Sequence, residues 1–321
     1  MRIPRIAIYY YVIKATNFRN DGPPLYLNYN LRKILNGDAE MEDQTRNVIH
    51  LHPNGNTQQF GNYDLHLLVD HGEDGLGMPL DFEYPHPNAY WISDAHLGYE
   101  HRLETAKKFD YVFCAQRWFI DKLGKDGIDY RKLYYLPHAF EPDVYRPLAL
   151  MPKYDWSFIG HMNSPNRVEL LHQFCLELPN YYLGTRLPGV PGYNVFDDAN
   201  EKFNSSKLIL NDAVGNDVNM RVFEVLGSGR PLLTLDLPEL RELFKPDEHL
   251  AAFQTVPEAL DLAKALLLDD TRRERLALNG YTEALSKHTY NHRAQKILET
   301  CLNYSTDRKE SENAHPVSVA P

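Results

Sequence analysis

The 321-residue sequence is poor in cysteine, in unbroken apolar stretches and in cations. Its three cysteines, Cys114, Cys175 and Cys301, are far apart, odd in number and without C-x-x-C spacing, which fits three free thiols in a reducing cytoplasm. The longest apolar run, Ile6 to Ile13, covers eight residues and is interrupted by tyrosines. A membrane helix needs about 20, so no transmembrane segment is expected. The opening MRIPRIAIYYYVIK is too short and too polar at its end to read as a signal peptide. With 34 Lys and Arg against 44 Asp and Glu, the net charge is −10. That balance argues against a broad nucleic-acid surface, but not against a small anion held by a few local cations. A hydrophobic fraction of 43% and a charged fraction of 24% exclude disorder over most of the chain. At this length two domains are the natural expectation.

Several signatures are missing as well. There is no G-x-x-x-x-G-K-[ST], which excludes a P-loop, and Gly72, Gly75 and Gly77 do not complete G-x-G-x-x-G. No G-x-S-x-G occurs; Gly227-Ser228-Gly229 follows a helical pattern rather than a strand, so it is no nucleophile elbow. No D-x-D occurs, which removes the usual carboxylate pair that holds a divalent cation on a nucleotide diphosphate, and no metal is expected. His288 and His292 have helical spacing but lack the Glu of H-E-x-x-H, and His50 and His52 read as a structural pair on a strand.

What the chain does have is 21 tyrosines, 21 prolines and an alternation of short apolar runs with helical patterns. Arg5–Val12, Asn47–Leu51, Leu65–Val69, Ala89–Ile92, Tyr111–Cys114 and Tyr134–Leu136 read as strands, with helices over Leu25–Leu35, Leu103–Phe109 and Gln116–Leu123. Strands alternating with helices imply a parallel sheet covered on both faces. Pro137, Pro142, Pro147 and Pro152 then fall within sixteen residues, a poor setting for helix or central strand. The alternation restarts with Trp156–Ile159, Tyr181–Leu183, Leu208–Leu210 and Pro231–Leu235 as strands. Pro165–Glu177, Asn219–Leu226, Pro257–Leu268, Thr271–Lys287 and Asn291–Leu302 read as helices. The expectation is two α/β domains, 1–147 and 148–288, facing a cleft across a Pro-rich linker, then a helix over 289–304 and a disordered tail over 305–321.

The most informative segment is Ser206–Thr234. A buried strand delivers Asn211 to its carboxyl end, a polar loop follows, and Asn219 is placed to cap a helix. The free N–H groups of that helix's first turn make an anion site, to which Arg221 adds a cation. Glu224 lies one turn further on nearly the same face. A carboxylate there can accept two hydrogen bonds from a vicinal diol such as a ribose. Phosphate at the helix start with ribose one turn later is a nucleotide-diphosphate geometry. The plainer reading is a surface ion pair between Arg221 and Glu224.

The string NMRVFEVLGSGRPLLT (Asn219–Thr234) resembles the hallmark of the CgeB-like glycosyltransferases, a branch of the GT-B superfamily (glycosyl transferases group 1 type). FDYVFCAQ (Phe109–Gln116), LPHAFEPDVYRP (Leu136–Pro147), WSFIGHMNSPNRVELL (Trp156–Leu171) and HTYNHRAQKIL (His288–Leu298) fall in the order this likeness requires, which is firm over about residues 90–302. The resemblance implies an α/β GT-B fold of two Rossmann-like domains and transfer of a sugar from a UDP-, GDP- or dTDP-linked donor to an unknown acceptor. It also implies a last helix crossing back to the N-terminal domain. In the superfamily the donor helix carries two glutamates eight apart. The second matches Glu224, expected on the ribose; the first falls at Asn216, so the chain departs from that pattern and Asn216, Asp217 or Asn219 are the candidates to replace it.

Gly160, at a strand end, can let a ligand approach the backbone, and Arg167, near the next helix start, is similar to the basic residue facing the donor diphosphate in GT-B enzymes. Arg186 is a weaker version of the same reading, and His138 sits where it can order the linker or touch the donor rather than perform catalysis. Asp21 lies in the Gly-containing loop that GT-B enzymes place beside the acceptor, and is a candidate base. Asp70-His71-Gly72-Glu73-Asp74 and Ser93-Asp94-Ala95-His96 each follow a strand and offer a carboxylate beside an imidazole, with turn chemistry the plainer reading for the first. Asp94 and His96 therefore join Asp21 as catalytic candidates.

Overall fold

The computed structural model describes residues 2–10, 22–37, 48–51, 62–70, 80, 83–94, 96–162, 164–185 and 198–304. The chain divides into two compact units, Met1–Pro137 with Tyr290–Pro321, and His138–Thr289.

In the first unit the short apolar runs form β1 (Ile6–Tyr9), β2 (Val48–Leu51), β3 (Leu65–Asp70), β4 (Asn88–Ile92), β5 (Tyr111–Cys114) and β6 (Leu133–Tyr135). They make one sheet in the order β2-β1-β3-β4-β5-β6, every pair parallel. The helices are α1 (Pro23–Asn36), α2 (Tyr99–Ala106) and α3 (Arg117–Lys125). Two prolines open α1, where a missing N–H costs nothing. Helix α2 starts earlier than the apolar spacing implies, because Gly98, at φ 53°, turns the chain into it.

Part of the tyrosine excess lies in this unit's core. Tyr9, Tyr84 and Tyr90 are buried with Leu68 and Phe109, Tyr9 edge-on to Tyr84 at 5.1 Å between centroids. Two of the hydroxyls have partners: Tyr9 Oη lies 2.7 Å from His66 Nδ1, and Tyr90 Oη donates to Asp70 Oδ2 at 2.6 Å. The C-terminal helix α10 (Tyr290–Leu302) packs on α1, with Tyr26 and Tyr290 5.2 Å apart, and buried Arg293 donates from Nε to the carbonyl of Pro137.

The second unit holds β7 (Tyr154–Ile159), β8 (Tyr181–Gly184), β9 (Ser206–Asn211), β10 (Leu232–Leu235) and β11 (Ala251–Phe253). Their order is β11-β10-β9-β7-β8, again all parallel. Helices α4 (Pro165–Glu177), α5 (Ala199–Asn204), α6 (Met220–Gly227), α7 (Pro238–Leu243), α8 (Val256–Leu268) and α9 (Asp270–Lys287) complete the unit. Ser164, Thr255 and Asp269 cap α4, α8 and α9 by accepting backbone N–H bonds. Pro142, Pro147 and Pro152 lie within this unit, where Asn200 Oδ1 and Asn204 Oδ1 accept the backbone N–H groups of Arg146 and Leu148.

Strand order reverses direction between β1 and β3 in one sheet and between β7 and β9 in the other. Ligands of open parallel sheets collect at such points, beyond the carboxyl ends of the strands. The expected tail, 305–321, lies outside the described residues. Among the described residues no helix is long and apolar enough to cross a membrane.

Candidate functional site

The reversal between β7 and β9 brings two loops together, and Arg167 ties them. Its backbone N–H is taken by the Ser164 cap at the start of α4, which aims the side chain at the strand ends. Nε donates to Asp212 Oδ2 at 3.2 Å, Nη1 to the carbonyl of His161 at 2.6 Å, and Nη2 to the carbonyl of Asp212. The guanidinium lies 5.5 Å from the centroid of the Phe158 ring. Both partners are buried, at 6% and 9% side-chain exposure. Burial lowers the Arg167 pKa, with Asp212 opposing and the nearby charge of Arg221 adding to the fall. Burial likewise raises the Asp212 carboxyl, with Arg167 opposing. Gly160 is set by packing: a Cβ there would press on the Phe158 ring.

From Asn211, at the end of β9, the chain runs through a turn at Gly215 (φ 63°) to α6. Asn216 is exposed on that turn, and Asp217 is buried. Asn211 Nδ2 donates to Thr234 Oγ1 on β10 at 2.9 Å, and its Oδ1 accepts from Asn219 Nδ2 at 3.3 Å. Asn219 occupies the cap position, but its side chain makes no capping bond, contrary to the expectation from its residue type. The amide is turned back toward Asn211 and the carbonyl of Asp212, at 3.3 Å, and its Oδ1 is buried without a partner. The first-turn amides of α6 therefore have no side-chain cap.

One turn on, Arg221 Nη1 donates to Glu224 Oε2 at 2.5 Å, with side-chain exposures of 13% and 3%. This is no surface ion pair. The Arg221 guanidinium lies 5.4 Å from the Phe203 ring centroid of α5, and its Nε is buried without an acceptor. Helix α6 ends where Gly229 takes φ 65°, and Gly227 makes room for the ring of Phe140. Four candidates thus converge on one end of the second sheet: Arg167, Asn211, Asn219 and Arg221, with Glu224 a turn away. Sequence reasoning did not find Asp212, Phe203 or Thr234, whose partners lie 45, 18 and 23 residues distant.

In the first unit Asp94 is half-buried and His96 exposed, on the loop after β4. Ser93 Oγ donates to the carbonyl of Asp70 at 2.6 Å and lies 3.4 Å from Asp94 Oδ2. Asp70 itself is a buried structural anion. Arg102 grips both its oxygens, at 2.7 and 2.9 Å, and the two side chains are 1% and 0% exposed. Asp21, Arg186 and the segment 71–74 lie outside the described residues. His138 is buried at the start of the second unit. Among the described residues no group of three or more His, Cys, Asp or Glu side chains is placed to hold a metal ion.

With this geometry in view, a family model described as glycosyl transferase-like matches residues 172–299, which include α6 and its flanking strands. No curated protein sequence matches the chain. Among solved structures, Anabaena Alr3699/HepE in complex with UDP and glucose aligns at TM-score 0.65 and 12% identity, over 94% of this chain and 100% of that one. T4 phage β-glucosyltransferase aligns at TM-score 0.61 and 14% identity, over 94% and 100%. S. aureus TarM aligns at 0.55 and 11%, over 74% and 55%. At these identities the likeness shows the fold alone: two parallel sheets, each flanked by helices, consistent with a GT-B-like fold of two Rossmann-like domains.

Proposed function

We propose that this protein is a GT-B glycosyltransferase of hexosyltransferase type that takes its sugar from a nucleotide-diphosphate donor. The observation that carries the reading is the buried Arg221–Glu224 pair, one turn into a helix that starts uncapped at the reversal point of the second sheet. Glu224 binds the ribose diol, and Arg221 with the first-turn amides of α6 binds the diphosphate. Arg167 acts from behind: tied to Asp212, it fixes the loop that leads to α6 and adds positive potential. These charges stabilise the departing diphosphate, the task a divalent cation performs in D-x-D enzymes, so no metal is required. Asn216, Asp217 and Asn219 are the groups available to the donor sugar. Asp94 or His96, with Asp21, supplies the base toward the acceptor. The string NMRVFEVLGSGRPLLT supports a place in the CgeB-like branch.

The same fold without turnover is the second reading, favoured by Asn216 standing where the superfamily has a glutamate. Calorimetric titration of UDP, GDP and dTDP tests the first. Glu224→Ala should weaken binding of UDP or GDP, whose riboses carry the vicinal diol, by about 1.5–3 kcal/mol, the loss of hydrogen bonds to a charged group. No binding of any of the three at millimolar concentration would overturn the proposal. Binding without transfer or hydrolysis of any sugar donor would favour the second reading.

A further inference from the structure

The Arg221–Glu224 pair is closed on itself. One guanidinium N–H and one carboxylate oxygen are 2.5 Å apart, both side chains are largely buried, and the arginine lies over Phe203. Yet the closed pair leaves Arg221 unsatisfied, since its Nε is buried with no acceptor. Arg167 stands near enough for the two guanidinium charges to oppose each other, and each is held by its own carboxylate, Asp212 for Arg167 and Glu224 for Arg221. A buried donor without an acceptor is costly, and an incoming anion relieves it.

On the reading of this site as a nucleotide-diphosphate site, the two side chains serve two parts of one ligand. The diphosphate needs Arg221; the ribose diol needs the carboxylate oxygen that Arg221 occupies. We infer that the Arg221–Glu224 pair is an interlock between the two subsites. A diphosphate draws Arg221 away from Glu224, satisfies the guanidinium, and uncovers the carboxylate for the diol. Diol binding in turn competes Arg221 off Glu224 and makes it available to phosphate. Each half of the ligand thereby promotes the other, by the same factor in both directions, as linkage requires. After transfer the nucleoside diphosphate departs as one molecule, and the pair closes again behind it.

The interlock is tested on the wild-type protein with the two halves of the ligand as separate molecules. The nucleoside of the tightest-binding diphosphate (uridine for UDP, guanosine for GDP) is titrated by protein-observed NMR, alone and with saturating inorganic pyrophosphate. The interlock predicts that pyrophosphate lowers the nucleoside Kd at least fivefold, the lower end of ordinary coupling. An unchanged or raised Kd overturns it. A second measurement removes the carboxylate's charge. Glu224→Gln should tighten pyrophosphate binding roughly tenfold when Arg221 is present and leave it unchanged in an Arg221→Met background. An equal gain in both backgrounds means simple relief of charge repulsion and overturns the interlock. Failure of every nucleoside diphosphate to bind is a different result, which overturns the nucleotide reading on which the interlock rests.

Discussion

Replacing Arg167 by Met removes the cation from a pair buried at 6% and 9% exposure and strands the Asp212 carboxylate in the second unit. Breaking such a pair by removing one partner costs about 3–5 kcal/mol. For a unit of this size each kcal/mol lowers Tm by roughly 2–4 °C, so the variant should melt about 6–20 °C below wild type. The double variant Arg167→Met, Asp212→Leu removes both charges and refills the space with apolar groups. Such replacements are often neutral or better, and the double variant should recover most of the loss. Differential scanning calorimetry of the four proteins gives the cycle. Nucleotide titration on the same four separates two roles for Arg167. If it acts by holding the loop, affinity returns in the double variant to within a few-fold. If its guanidinium touches phosphate, affinity stays low although stability returns. An Arg167→Met protein melting within 2 °C of wild type would refute the argument from burial.

Other expectations follow from single environments. Gly227→Ala would drive a Cβ into the ring of Phe140, and overpacking of this kind costs about 1–3 kcal/mol, read as a lower Tm. His66 is buried against Tyr9, and burial lowers its pKa below the ordinary 6.5. The unfolded chain then takes up a proton that the folded one refuses, so stability is complete above that value and is lost as pH falls through it. Melts of wild type should therefore fall more steeply below about pH 6.5 than those of His66→Gln, and parallel curves would contradict the assignment.

Much of the fold was legible because buried parallel strands read as short apolar runs whatever surrounds them. β3, β4, β5, β7, β9 and β10 each lie on such a run. The elements that escaped are short and carry little pattern: α5 is ANEKFN, α7 is PELREL, and β11 is only AAF. The Arg221–Glu224 relation was legible from helical spacing, since three residues define a neighbour on a helix. Its burial was not, because Phe203 comes from another helix. Asp70 illustrates the converse. In sequence it resembles a loop carboxylate at a strand end, and only packing reveals Arg102, 32 residues away, as its full-time partner. Asn219 failed as a cap for a similar reason: its amide has better company at the ends of the strand it follows.

The central claim is that Glu224 receives the ribose of a nucleotide diphosphate, and removing one hydroxyl tests it most directly. Titrating the preferred ribonucleoside diphosphate and its 2′-deoxy counterpart against wild type and Glu224→Ala closes a cycle on that single contact. Wild type should discriminate against the deoxy ligand by about 1.5 kcal/mol or more, roughly tenfold in Kd, and the variant should bind both alike. The same discrimination in both proteins, or none in wild type, would contradict the account.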